Sequence, residues 1–219
     1  MNHKIFITGG SGYIGSALIP QLIKRGHEIR ALVRSQSLYK IPTGWGIVSG
    51  DVLDNKTYED KIFPSDTFVH LVGVSHPNPF KKELFLKVDL KSLEQTLDAA
   101  ISSNIKHFVY LSVAHPAPIM KSYIEVRKKC ETLIYQSGLS ATIIRPWYVL
   151  GPGHYWAYLL IPFYKIFQNI PITRDTARRL GLVTLFELIK PIIYAIDNPP
   201  AISVRVIEVP QILNGYFKL

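Results

Sequence analysis

Short runs of apolar, β-branched and aromatic residues alternate along the chain with longer stretches in which apolar residues recur at intervals of three and four. KIFIT (4–8), EIRALVR (28–34), WGIVSGD (45–51), DTFVHLVG (66–73), KHFVYLSV (106–113) and ATIIRP (141–146) read as strands. GSALIPQLIKRG, LFLKVDLKSLEQTLDAAISSN and SYIEVRKKCETLIYQSG read as helices between them. The alternation predicts an α/β fold, a doubly wound parallel sheet with helices on both faces. Most of the strand runs lack a polar face, as strands do when both sides of the sheet are covered.

After residue 150 the pattern changes. Residues 147–171, WYVLGPGHYWAYLLIPFYKIFQNIP, crowd aromatics and prolines, then TLFELIKPIIYAID (184–197) reads as a helix and SVRVIEVP (203–210) as a last strand. With no repeat and no low-complexity linker, one domain is expected over 1–219, in which 147–219 forms a small substrate-covering cap on the same core. A chain of 219 residues, 47% of them hydrophobic, can bury such a core, which excludes a disordered chain.

Charge and cysteine usage narrow the setting. The net charge is +9, but the basic residues are scattered in short groups such as Lys81-Lys82 and Arg178-Arg179, which suits an anionic small ligand better than nucleic acid. Cys130 is the sole cysteine and has no internal disulfide partner, and the first residues carry no apolar signal region, so a reducing cytoplasm is the expected compartment. No apolar run reaches the ~20 residues of a membrane span, since Pro162 and Lys165 break the best candidate. No cluster of His, Cys or carboxylate shows metal-ligand spacing.

Chemistry first appears in TGGSGYIG (8–15), directly between the first strand and the first helix. Gly9 permits a tight turn, Gly12 lets backbone approach a pyrophosphate, and Gly15 lets the helix pack close to the strand. The phosphates are expected on the helix N-terminus, where N–H groups and the helix dipole attract anions. At the end of the second strand stand Arg34 and Ser35, where a free ribose 2′-hydroxyl would call for an acid. Arg34 suits a 2′-phosphate, so NADP is expected ahead of NAD.

These residues resemble the TGxxGxxG loop of the short-chain dehydrogenase/reductase superfamily, and within it the atypical and extended members: small NAD(P)-binding, NmrA-like and epimerase/dehydratase-like proteins. The resemblance implies a Rossmann-type fold with Thr8, Gly9, Ser11, Gly12, Tyr13, Ile14 and Gly15 at the cofactor. It also implies that Asp51 and Val52 contact adenine, that Leu71, Val72 and Gly73 line the adenine ribose, and that the chain from Pro146 onward runs past the nicotinamide. It covers residues 4 to about 153, with a weaker echo in TLFELIKPIIYAIDNPP.

Catalytic members of that superfamily carry a Tyr and, four residues later, a Lys on one helix face. Here Tyr123 is followed at that spacing by Arg127, and Lys128 lies about 100° round the helix. Arginine is a forked, bulkier cation and not a neutral exchange for lysine. Glu131, one turn further, is positioned to pair with Arg127 and blunt its effect on Tyr123. Ser112 offers a hydroxyl just beyond the fifth strand, although Val113 and Ala114 stand where extended members usually place theirs.

His70, His76 and His115 sit near strand ends where a substrate could lie, although loop histidines are usually only solvated. Trp147, Tyr148, Tyr155, Trp156, Tyr158, Phe163, Tyr164 and Phe167 suit an apolar or planar substrate such as a quinone, a flavin or a lipid-like carbonyl compound. A homodimer interface or a membrane-surface contact would use the same side chains. Two functions remain: an NADP-dependent oxidoreductase with Tyr123 as proton donor, and an NADP-binding sensor or structural subunit without chemistry.

Overall fold

The computed structural model describes residues 2–41, 44–75, 77–152, 170–201 and 203–217. Seven strands form one parallel sheet: β1 (Lys4–Thr8), β2 (Glu28–Val33), β3 (Gly46–Ser49), β4 (Thr67–His70), β5 (His107–Leu111), β6 (Ala141–Arg145) and β9 (Val204–Glu208). Their order is β3-β2-β1-β4-β5-β6-β9, so the winding reverses between β1 and β4. In sheets of this kind ligands bind outside the carboxyl ends of the strands at that reversal. This is the Rossmann-type α/β fold that the sequence pattern predicts.

Alternate residues of one strand enter opposite cores. Ile5 and Ile7 pack with Leu18 and Leu22 of α1 (Tyr13–Lys24) on one face, and Phe6 packs with Phe68, Phe108 and Tyr110 on the other. Because both faces are buried, the strands are apolar at nearly every position. The second face is closed by α2 (Lys91–Ser102) and α3 (Lys121–Gln136). A π-helical stretch, Phe85–Leu90, leads directly into α2 and turns Phe85 and Asp89 inward.

Several strands end earlier than their apolar runs. Arg34, Gly50-Asp51, Leu71–Gly73 and Ser112-Val113 fall outside the strand assignments and form loops at the carboxyl edge. Two features escape the sequence pattern: a two-stranded parallel ribbon of β7 (Tyr148–Leu150) and β8 (Leu182–Thr184), and α4 (Pro171–Arg179). Three-residue strands are too short to show a period, and α4 is mostly polar. The last helices are α5 (Leu185–Asp197) and α6 (Val209–Leu213). Thr184 and Glu187 close a capping box on α5, each side chain accepting the other's backbone N–H, at 3.2 and 2.8 Å. Helix α5 packs into the same core as α1, and no helix among the described residues is long and apolar enough to cross a membrane.

His70 does not face a substrate. It is fully buried, its Nδ1 shares hydrogen bonds with Thr8 Oγ1 at 2.9 Å and Thr96 Oγ1 at 3.3 Å, and burial pushes its pKa down to about 3. Burial likewise pushes His107 down to about 3. Between pH 6.5 and about 3 the unfolded chain therefore takes up protons that these two imidazoles refuse in the fold, so stability is lost as pH falls through that window. Thermal melts should show the decline, and His70→Gln should make it shallower; an unchanged slope would mean that His70 is protonated in the fold.

Candidate functional site

The glycine loop is built for close approach. Gly9 has φ of +77°, and a Cβ there would stand 2.9 Å from the carbonyl carbon of Leu71. At Gly15, inside α1, a Cβ would stand 2.6 Å from Gly10 Cα and overlap the Gly9 oxygen. Gly12 N–H donates to that same oxygen at 3.0 Å, closing the turn. The N-terminus of α1 has no side-chain cap and no acidic residue in its first turn. Its first N–H groups are left for an anion, and the loop fits a dinucleotide pyrophosphate.

The other loops of the carboxyl edge surround it. Ser11 is exposed, Ile14 is half-buried against the first core, and the Tyr13 hydroxyl lies against Gly151, joining the loop to the chain after β7. Thr8 is turned inward, fully buried on His70. Arg34 is exposed and makes no side-chain hydrogen bond or ion pair among the described residues, and Ser35 Oγ meets Ser49 Oγ at 3.1 Å. Asp51 is exposed and accepts Leu53 N–H at 3.0 Å, while Val52 packs on the second core. Leu71 N–H donates to the Thr8 carbonyl at 3.1 Å, and Leu71, Val72 and Gly73 are half-buried.

Helix α3 carries Tyr123, Arg127 and Glu131 at four-residue intervals, but the expected Arg127–Glu131 pair does not form. Arg127 turns instead to Asp89, with Nη2 2.6 Å from Oδ1, and its Nη1 donates to Tyr110 Oη at 3.0 Å and to the Leu111 carbonyl at 2.9 Å. Asp89 Oδ2 also accepts Val74 N–H at 3.2 Å. Burial pushes the Asp89 carboxyl up, and the guanidinium opposes the shift. Gly73 is required at this place, because a Cβ there would collide with the Arg127 guanidinium. Asp89, held by the arginine, thus ties Val74 to the helices beneath it. Tyr123 packs its ring on Phe85 with the Arg127 guanidinium 5.1 Å from its centroid, and burial pushes the phenol above its usual value.

Glu131 belongs to a second network. Its Oε1 accepts from Ser112 Oγ at 2.6 Å and from Arg145 Nε at 3.0 Å, and its Oε2 meets Arg145 Nη2 and, at 3.2 Å, His115 Nε2. Arg145 Nη1 reaches Glu208 Oε1 at 3.0 Å. The Ser112 hydroxyl is committed to this carboxylate. Buried Pro146 accepts Ala114 N–H at 2.8 Å, so the chain after β5 runs beside the chain after β6. His76 and the aromatics from Tyr155 to Phe167 lie outside the described residues.

Asp89 is the residue that the sequence pattern did not reveal. Its signal was a carboxylate within the apolar stripe of LFLKVDLKSL. His115 and Arg145 were visible as residues, while their shared partner was not.

Sheet order, reversal point and uncapped helix define a dinucleotide-binding α/β protein. A family model described as NAD(P)H-binding matches residues 9–156, and the chain belongs to that family. Among curated proteins it is 25% identical over 170 residues to a 4-hydroxy-2-methyl-3-oxo-4-farnesyl-3,4-dihydroquinoline-1-oxide ketoreductase of Stigmatella aurantiaca, covering 68% of this chain and 51% of the relative. It is 23% identical over 172 residues to a photosystem II assembly factor of Trieres chinensis, covering 77% of this chain and 51% of that protein. The chain thus spans about half the length of these relatives. Among solved structures, the Bordetella bronchiseptica enzyme WbmH in complex with NAD+ superposes with a TM-score of 0.70 at 20% identity, over 94% of this chain and 75% of that one, a likeness of fold.

Proposed function

We propose that the protein is an NADP-dependent oxidoreductase of the short-chain dehydrogenase/reductase type, acting on a small apolar or planar carbonyl or quinone-type compound. The observation that carries the proposal is the uncapped glycine-loop helix with Arg34, exposed and unpaired among the described residues, on the neighbouring strand end. The loop holds the pyrophosphate, Arg34 and Ser35 the 2′-phosphate, Asp51 and Val52 the adenine, and Leu71 to Gly73 the ribose. When bound, the reduced nicotinamide supplies a hydride. The chain's part in the chemistry is to position the substrate carbonyl and give its oxygen a proton.

The aromatic segment after Pro146 and the ketoreductase relative, named for a 3-oxo compound that carries a farnesyl chain on a dihydroquinoline, support the substrate class. In this reading residues 1–219 are one NAD(P)-binding domain with 147–219 over the substrate, working in the cytoplasm, where buried Cys130 stays reduced. Arg34→Ala should weaken NADPH about tenfold or more, the loss of a charge-assisted contact, and leave NADH within about twofold. Equal losses in a fluorescence titration would refute the 2′-phosphate assignment.

A second reading keeps the cofactor and drops the chemistry. It is favoured by the ion pair of Arg127 with Asp89, which divides the cation beside Tyr123 between the phenol and a buried carboxylate. A screen of quinones, flavins and aldehydes for loss of NADPH absorbance separates the two. Tight binding without turnover on any acceptor would select the sensor.

A further inference from the structure

Reduction of a carbonyl needs a proton donor, and the superfamily's position for it, Tyr123, is a poor one here. Its phenol is made less acidic by burial, and the Arg127 guanidinium that opposes this shift is shared with Asp89, Tyr110 and the Leu111 carbonyl. Eight residues earlier stands another proton carrier. His115 is one residue past the hydrogen bond from Ala114 N–H to the Pro146 carbonyl, at the carboxyl edge of β5 and β6. Its Nε2 is 3.2 Å from Glu131 Oε2.

Glu131 is well held for such a partner. Its carboxylate is 5% exposed, and each oxygen takes one contact from Arg145 and one more, from Ser112 on Oε1 and from His115 on Oε2. The carboxylate fixes the tautomer and the direction of the ring, since Nε2–H must donate to it. The opposite nitrogen, Nδ1, makes no hydrogen bond among the described residues, and the side chain keeps 13% of its exposure. One nitrogen is held by Glu131, and the other is unbonded among the described residues. A buried structural histidine such as His70 has both nitrogens engaged.

We infer that His115 is the general acid of the proposed reduction, with Glu131 as its positioning residue. The inference rests on the oxidoreductase reading. As a hydride reaches the carbonyl carbon, the C=O π pair moves to oxygen, and that oxygen takes the proton from Nδ1 of the imidazolium. An alcohol and a neutral imidazole with Nε2–H still on Glu131 remain, and water restores the proton to Nδ1. In the reverse direction the same nitrogen accepts the proton. Ser112, whose hydroxyl donates to Glu131, supports the carboxylate and does not touch substrate.

The test uses the full chain labelled with nitrogen-15 at histidine, titrated with NADP+ and separately with 2′,5′-ADP, which lacks the nicotinamide. The expected result is that both bind, and that the His115 resonance moves with NADP+ and stays with 2′,5′-ADP. If neither binds, the cofactor reading fails. If both bind and His115 ignores NADP+, the assignment of His115 alone is overturned.

Turnover of 9,10-phenanthrenequinone then separates proton transfer from proximity. His115→Gln should lower kcat by about 10²–10⁴-fold with NADPH affinity unchanged, and His115→Ala should be partly rescued by added imidazole. Tyr123→Phe should stay within about tenfold of wild type, a smaller loss than a general acid gives. The reverse order of losses, no rescue, or no turnover of quinone and aldehyde probes despite the His115 response would overturn the acid role. The charged groups around His115 are Glu131 on α3, Arg145 on β6 with Glu208 on β9 behind it, and Arg179 on α4, which donates to the Pro116 carbonyl. Glu131→Gln should lower kcat and leave the KM for NADPH unchanged, and an unchanged kcat would overturn the positioning role.

Discussion

Replacing Arg127 with methionine is expected to destabilise the fold by about 3–5 kcal/mol, the usual cost of stranding one partner of a buried ion pair. The side chain of Asp89 is 0% exposed, and without the guanidinium it keeps the Val74 amide as its hydrogen-bond donor. Two further hydrogen bonds go at the same time, to the Tyr110 hydroxyl and the Leu111 carbonyl. The double variant Arg127→Met with Asp89→Leu should recover most of the loss, because apolar replacement of both partners is often close to neutral. Urea unfolding of the three variants decides the matter. If Arg127 instead served the nicotinamide ribose, Arg127→Met would leave the urea midpoint near wild type and weaken NADPH.

Gly15→Ala carries the second large effect, and two opposing terms fix its sign. Alanine is the better helix former by about 1 kcal/mol, but its Cβ would stand 2.6 Å from Gly10 Cα and overlap the Gly9 oxygen. Backbone atoms cannot rotate away as a side chain can, so the loop must lift off α1. The expected result is a loss of NADPH affinity of at least about tenfold, or about 1.4 kcal/mol, with melting temperature changed little. Gly138→Ala is a useful contrast, since Gly138 has φ of +73° and open space around its Cβ position. That variant should cost stability and leave cofactor affinity intact.

Much of the fold was legible because buried parallel strands announce themselves: Ile5 and Phe6 enter opposite cores, so no polar face interrupts the run. The glycine loop was legible because the constraints on Gly12 and Gly15 are local, both meeting the backbone of Gly9 or Gly10. The partner of Arg127 was not. Helix spacing made Glu131 the natural partner, one turn away, whereas the actual one is 38 positions upstream, brought in by the π-helical stretch before α2. Glu131 is taken instead by Arg145, at the end of β6 beside β5. Local periodicity reports which face of a helix is buried; it does not report which of two carboxylates the fold delivers to it. The ribbon of β7 and β8 escaped for lack of length.

The central claim is that the carboxyl edge of this sheet binds a nicotinamide dinucleotide, with the pyrophosphate on the N-terminus of α1. Calorimetric titration of the purified protein with NADPH and with NADH tests it most directly. The account predicts saturable one-to-one binding of both, tighter for NADPH, and weakened for both by Gly15→Ala. A folded protein that takes up neither dinucleotide, or one whose affinity ignores Gly15→Ala, would contradict it.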